Sequence, residues 1–243
     1  MKQSIQSIGI WFIGITLTVL LFFVMAFTTI IFLPFDRKRK ITHAQCFWWS
    51  DAVTALNPYW KVKVEGLDNI DHSKIYIVVS NHQSLADIAL MYKIKMQFKW
   101  VAKDSLFKIP VLGWNMRLAK HISLRRGEFS SIKKTYKEAS MWLRDGISVI
   151  FFPEGTRGID SGIGEFQNGA FKLAIKEKVP ILPVLIQGTR DAIPKGSWHF
   201  TTKISCLIKV LPPIDTSTYL PADYSRLSNL VRAQLLSNWV TPE

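Results

Sequence analysis

His82 and Asp87 are the pair of residues in this 243-residue chain best able to do chemistry together. They lie in the stretch Ser80-Asn81-His82-Gln83-Ser84-Leu85-Ala86-Asp87-Ile88. A carboxylate there can hold one imidazole nitrogen while the other takes a proton from a substrate. On a regular helix a five-residue step turns two side chains about 140° apart, so a pairing needs His82 in a loop and Asp87 in the first turn of the next helix. Ser84 fits the N-cap of such a helix and places Asp87 at its third position. The same residues also read as a capping box, in which Asp87 only satisfies a backbone amide and His82 is a polar loop residue.

The elements around the pair favour a junction. Tyr76-Ile77-Val78-Val79 has the β-branched content of a buried strand, and Ile88-Ala89-Leu90-Met91-Tyr92 continues as a helix. Further short strands are predicted at 61–65, 99–102, 147–152, 181–187 and 204–211. Helices are predicted near 87–95, 111–119, 130–144, 166–176 and 220–240. This alternation describes an α/β layered domain with a largely parallel central sheet flanked by helices. In such sheets the carboxyl ends of the strands share one rim, where ligands bind.

A second polar loop follows the apolar strand ending at Phe152: Pro153-Glu154-Gly155-Thr156-Arg157-Gly158. Gly155 allows close backbone approach, Thr156 offers a hydroxyl, and Arg157 a fork of donors suited to phosphate. Taken alone it also reads as a Pro-Gly turn with a solvated arginine. Lys103 and the pair Arg125-Arg126 also follow strand-like segments, giving the rim cations for a phosphate-bearing substrate.

The remaining sequence sets where such a site would work. From Gln3 to Phe35 no side chain is charged, and the 33-residue run is rich in Ile, Leu, Val and Phe. As one helix it exceeds a hydrocarbon core of about 30 Å, so it is expected to tilt, project beyond the bilayer or break near Gly14. Asp36-Arg37-Lys38-Arg39-Lys40 follows it, whereas only Lys2 precedes it. That asymmetry puts the bulk of the chain on the cytoplasmic face of an inner membrane, with the cations near anionic headgroups. The chain thus divides into a membrane anchor with a basic flank (1–40), an amphipathic interfacial helix (41–60) and a globular domain (61–243). In the second of these, Ile41, Ala44, Trp48, Ala52, Ala55 and Tyr59 recur at helical spacing, which also fits an ordinary amphipathic helix packed on the core.

Thirty-one Lys and Arg against 18 Asp and Glu give a net charge of +13, which calls for an anionic partner. The cations are scattered and densest beside the apolar run, which favours lipid over nucleic acid. Cys46 and Cys206 stand far apart, and no His, Cys, Asp or Glu spacing matches a metal site.

The two loops carry a resemblance. Asn81-His82-Gln83-Ser84-Leu85-Ala86-Asp87, then Phe152-Pro153-Glu154-Gly155-Thr156-Arg157, then Phe166-Gln167-Asn168-Gly169-Ala170-Phe171-Lys172, then Val179-Pro180-Ile181-Leu182-Pro183-Val184 resemble, in order, the glycerolipid acyltransferase family over roughly residues 60–215. The resemblance implies His82 as general base and Asp87 as its orienting carboxylate. It also implies that Glu154, Gly155, Thr156 and Arg157 line a glycerol-phosphate pocket, with an arginine of the 122–126 segment on the phosphate. Ser123 departs from the family pattern, which has a bulky residue there, so both Arg125 and Arg126 stand as phosphate ligands, and Leu124 favours Arg126.

The implied reaction moves an acyl group from a thioester of coenzyme A or acyl-carrier protein to the free hydroxyl of lysophosphatidate. It needs no cofactor. The chain has no Gly-x-Ser-x-Gly elbow and no cysteine near a motif, which points to direct transfer without an acyl-enzyme. Another lysophospholipid or glycerol-3-phosphate would serve as acceptor by the same chemistry. Outside that class stand a membrane-tethered lipid hydrolase and an anionic-lipid-binding protein.

Overall fold

A computed structural model of the chain describes residues 2–158, 162–194, 196–201 and 203–239. Its sheet comprises β1 (Trp60–Glu65), β2 (Ile77–Ser80), β3 (Phe98–Lys103), β4 (Ile122–Leu124), β5 (Ser148–Phe151), β6 (Ile181–Gln187) and β7 (Ile204–Val210). Around it lie α1 (Lys2–Ile31), α2 (Lys40–Ala55), α3 (Ala86–Leu90), α4 (Leu112–Leu118), α5 (Phe129–Arg144), α6 (Gly169–Glu177) and α7 (Tyr224–Ser237). The expected end of the last helix at Val240 lies outside the described residues.

The strand order is β1-β7-β6-β2-β5-β3-β4. Every neighbouring pair is parallel except β6 and β7. The central strands bury both faces, which is why they read as unbroken apolar runs. Val78, Ile150, Leu182, Val184 and Ile186 face one core with Leu21, Met25, Tyr92 and Trp100. Ile77, Val79, Val149, Ile181 and Leu185 face the other, against residues of α5, α6 and α7. Their one-in, one-out alternation is the period-two geometry of a strand.

α1 runs unbroken through Gly14, about 45 Å at 1.5 Å per residue. It is bound to the domain along its length. Ser7 Oγ accepts the Phe200 amide at 2.9 Å, and Trp11 Nε1 donates to the Trp198 carbonyl at 2.7 Å. Farther along, the Thr18 carbonyl accepts Asn115 Nδ2 at 3.1 Å, and Thr29 meets Thr42 at 3.1 Å. Ser7, Ile10, Leu21, Met25 and Thr29 form the buried stripe, while Phe12, Phe23, Phe27 and Ile30 face outward. Thr16, Thr18 and Thr28 donate their hydroxyls back to carbonyls four residues earlier, so these groups are satisfied without water.

Two expectations for the following segment change. Asp36 is buried and caps α2, accepting the amides of Lys40 at 2.6 Å and Thr42 at 3.1 Å. Arg39 is folded into the same turn and donates to the Asp36 carbonyl at 3.1 Å, so of the basic run only Arg37, Lys38 and Lys40 are exposed. α2 ends at Ala55 and buries Thr42, His43, Cys46, Ser50 and Thr54. The aliphatic spacing pointed to another side: Ile41 and Tyr59 are exposed. Thr42 and Ser50 find partners on this face, Thr42 with Thr29 at 3.1 Å and Ser50 Oγ donating to the Ala89 carbonyl at 2.6 Å, while His43 packs among aromatic rings.

Candidate active site

β2 lies between β5 and β6, parallel to both, so the loops leaving their carboxyl ends emerge side by side. Asn81 fixes the first of them. Its Nδ2 donates to the Ile186 carbonyl at 2.7 Å and its Oδ1 accepts the Ile186 amide at 2.8 Å. The side chain thereby stands in for one more strand pairing with β6 and stops the chain where His82 begins.

Asp87 then gathers the loop. Its Oδ2 accepts His82 Nδ1 at 2.8 Å, the Gln83 amide at 2.6 Å and the Ser84 amide at 2.8 Å; its Oδ1 accepts the Thr189 hydroxyl at 2.5 Å. The carboxylate is wholly buried, so these four donors replace its water. One oxygen both holds the imidazole nitrogen and satisfies the loop amides. The expected cap differs: the helix starts at Ala86 with Leu85 as N-cap, and Asp87 is its second residue. Ser84 contributes only a 3.4 Å contact to the Ala86 amide.

A carboxylate oxygen only accepts, so Nδ1 carries the proton in this contact, and in the neutral imidazole the lone pair is on Nε2. The ring is stacked on Phe152, with centroids 4.2 Å apart and planes 11° from parallel, and Trp100 backs Phe152 at 5.2 Å. Its side chain is 15% exposed. The ring is thus held edge and face, and left open on one side.

The loop after β5 meets this one directly. Glu154 Oε1 accepts the His82 amide at 2.8 Å, Oε2 accepts the Gly164 amide at 2.9 Å, and the Gly158 amide donates to the His82 carbonyl at 2.9 Å. Burial pushes the Glu154 carboxyl above its ordinary range, and the His82 and Gly164 amides oppose the shift. Gly155, at φ +73°, turns the loop beneath the Arg126 guanidinium, whose carbon would lie 3.8 Å from an added Cβ. Thr156 is exposed and Arg157 half-buried on the same loop.

The two candidate phosphate arginines separate. Arg125 Nη1 bonds Glu128 at 2.7 Å, its Nη2 lies 3.6 Å from Asp104, and Ser123 holds Asp104 at 3.0 Å. Ser123 therefore replaces a bulky residue with an anchor for the carboxylate that engages Arg125. Arg126 is the one that reaches the Glu154-Gly155 loop. Lys103 ends β3 opposite Leu124, exposed on the same rim.

Asn81, Phe152 and Thr189 complete the site, and residue-type reasoning had given them no role. Thr189 was findable: it follows an apolar strand, as His82 and Glu154 do. Gly188, at φ +81°, places it, since a Cβ there would come within 2.1 Å of the Ser205 carbonyl oxygen. Among the described residues no three His, Cys, Asp or Glu side chains are grouped to hold a metal ion.

The Acyltransferase family profile matches residues 61–187, just over half the chain, and spans both loops. The chain belongs to that family. It is 35% identical over 200 residues to a chloroplastic 1-acyl-sn-glycerol-3-phosphate acyltransferase of Arabidopsis thaliana, covering 81% of this chain and 56% of that protein. The alpha form of the same enzyme from Mus musculus is 32% identical over 179 residues, 73% of this chain and 63% of the other. The chain thus spans somewhat over half the length of these relatives. The crystal structure of the 1-acyl-sn-glycerophosphate acyltransferase PlsC from Thermotoga maritima superposes with a TM-score of 0.78 at 28% identity, over 99% of this chain and 98% of that one.

Proposed function

We propose that the chain transfers a fatty acyl group from an acyl thioester, carried by coenzyme A or acyl-carrier protein, to the free hydroxyl of lysophosphatidate, giving phosphatidate. One observation supports the reading: a buried, fully bonded Asp87 holds His82 Nδ1 at 2.8 Å, which in the neutral imidazole leaves Nε2 to accept a proton. Nε2 takes the acceptor hydroxyl proton as its oxygen attacks the thioester carbonyl, and Asp87 stabilises the imidazolium. As the carbon–sulfur bond breaks, the proton passes to the leaving thiolate and His82 returns neutral. Direct attack is supported by the two thiols, because burial pushes Cys46 up to about 12 and Cys206 up to about 11, away from nucleophilic thiolate.

Arg126 beside Gly155 would hold the acceptor phosphate, with Lys103 adding charge and Glu154, Thr156 and Arg157 shaping the loop that faces glycerol. The names of the relatives support this choice of acceptor. The apolar outer stripe of α1, together with exposed Phe32, Leu33 and Phe35, supports attachment to a bilayer. A helix bonded to its own domain at both ends is better suited to lying within one leaflet than to crossing. Arg37, Lys38 and Lys40 support the cytoplasmic leaflet of an inner membrane.

Purified protein given lysophosphatidate and each donor in turn is expected to yield phosphatidate. Free fatty acid without diacyl product would instead make it a hydrolase. Arg126→Ala is expected to raise the KM for lysophosphatidate by about 10- to 100-fold, the scale of one charged hydrogen-bonded contact, with the donor KM little changed. Arg125→Ala, which loses only exposed ion pairs, is expected to change it less than about threefold. The opposite ranking would move the phosphate to Arg125.

A further inference from the structure

Among the described residues, the face of the sheet at β1 and β7 forms an open cleft. Ile204, Cys206, Ile208 and Val210 of β7 and Val62 and Val64 of β1 point into the core shared with α1 and α2. By alternation Lys61, Lys63, Ser205, Leu207 and Lys209 point the other way. There they line a cleft of about 850 Å³ that also takes in Trp239 near the end of α7. Along β7 its lining runs from Ser205 to Lys209, about 13 Å at strand rise.

Because β6 and β7 are antiparallel, the amino ends of β7 and of its parallel neighbour β1 lie at the rim that carries His82. The cleft accordingly reaches Gln187, Gly188 and Gln83. The Gln83 amide oxygen is 3.4 Å from the Thr189 hydroxyl, which bonds Asp87. The mouth of the cleft is therefore two side chains from the carboxylate that orients the imidazole.

The strand order places this mouth on the β6 side of His82, whereas Arg126 and Lys103 lie on the β5 side. Two substrates whose reacting atoms must meet at Nε2 need separate approaches, and the β5 side is taken by the acceptor phosphate. The lining also has the right chemistry. Leu207 and Trp239 give it apolar surface, and with Lys63 bonded to Glu65 at 2.6 Å, Lys61 and Lys209 leave the lining positively charged. A long, thin arm with a phosphate at its far end matches both features. We propose that this cleft binds the phosphopantetheine arm of the acyl donor, thioester at the Gln83 end and phosphate toward Lys209, which the register places farthest from the rim. The assignment rests on the acyl-transfer reading above.

The test uses the full chain in detergent, with saturating lysophosphatidate and either palmitoyl-coenzyme A or palmitoyl-acyl carrier protein as the varied donor. Lys61→Gln combined with Lys209→Gln, and separately Leu207→Trp to fill the cleft, are expected to raise the KM for both donors about tenfold. The KM for lysophosphatidate should stay within about twofold. A rise for one donor only upholds the cleft and identifies the carrier that uses it. Unchanged donor KM values, or a rise in the acceptor KM instead, overturn it. Equilibrium binding of free coenzyme A judges the cleft without turnover. The double variant should bind about tenfold more weakly than the unsubstituted protein, and equal affinity in the two overturns the proposal. If the unsubstituted protein makes no phosphatidate from either donor, the acyl-transfer reading falls and this binding comparison alone decides whether the cleft takes the arm.

Discussion

Asp87→Asn is expected to lower kcat for acyl transfer by about 10²- to 10³-fold, and His82→Ala by about 10³-fold or more, the range over which a positioned general base acts. The geometry explains the difference. Three N–H groups converge on Asp87 Oδ2, and one hydroxyl on Oδ1. An asparagine fits best with its carbonyl oxygen at the three-donor position and its NH2 toward Thr189, whose hydroxyl can rotate to accept. His82 then keeps its proton on Nδ1 and its lone pair on Nε2. What disappears is the negative charge that stabilises the imidazolium, so some activity survives. Asp87→Ala removes the orientation as well and is expected to fall to the level of His82→Ala. In each variant both KM values should change only a few-fold, because the groups assigned to substrate binding are untouched. Turnover near the normal rate in His82→Ala would end the mechanism.

The second large effect is on acid stability. His43 is fully buried in α2, and neither ring nitrogen has a hydrogen-bond partner among the described residues. Its neighbours are rings: Phe98 at 4.7 Å, Tyr92 at 5.5 Å, Phe47 at 5.6 Å and His121 at 5.9 Å. Burial, with Lys99 adding like charge, lowers its pKa to about 3. The folded chain therefore keeps this imidazole neutral from pH 6.5 down to about 3, while the unfolded chain protonates it across that window. Unfolding then takes up a proton, and stability falls with falling pH by roughly 1.4 kcal/mol per unit for such a group. His121, likewise buried and lowered, acts in the same direction. His43→Phe is expected to be more stable than the unsubstituted protein at pH 5, with a shallower loss between pH 6.5 and 4. It removes two unsatisfied polar atoms as well as the titration. Thermal midpoints of the two proteins across that range check it, and parallel curves would show that His43 does not carry the acid sensitivity.

The strands at the centre of the sheet were legible because they are buried on both faces and so contain little besides Val, Ile and Leu. The polar residues that follow two of them, His82 and Glu154, were legible as a site because parallel strands deliver such residues to one rim. The burial of α2 was not legible. Its inner face is chosen by hydrogen bonds to α1 and α3, and aliphatic spacing along α2 contains no trace of those partners. Asn81 illustrates a second limit. Its type and place were visible, but its function as a substitute strand pairing depends on Ile186, 105 residues away. The pairing of Arg125 with Asp104 was not legible either, because only the fold brings those two residues together.

The attachment of α1 bears on how the protein can be prepared. Removing residues 1–39 to obtain a water-soluble fragment would not cut a tether. It would strip Ile10 from Phe200, open the surface that Leu21 and Met25 cover, and leave the Trp49 and Asn115 side chains without the Thr18 group each bonds. The shortened chain is expected to clump during expression. Detergent micelles or lipid discs, applied to the chain with α1 in place, are the workable route to soluble material.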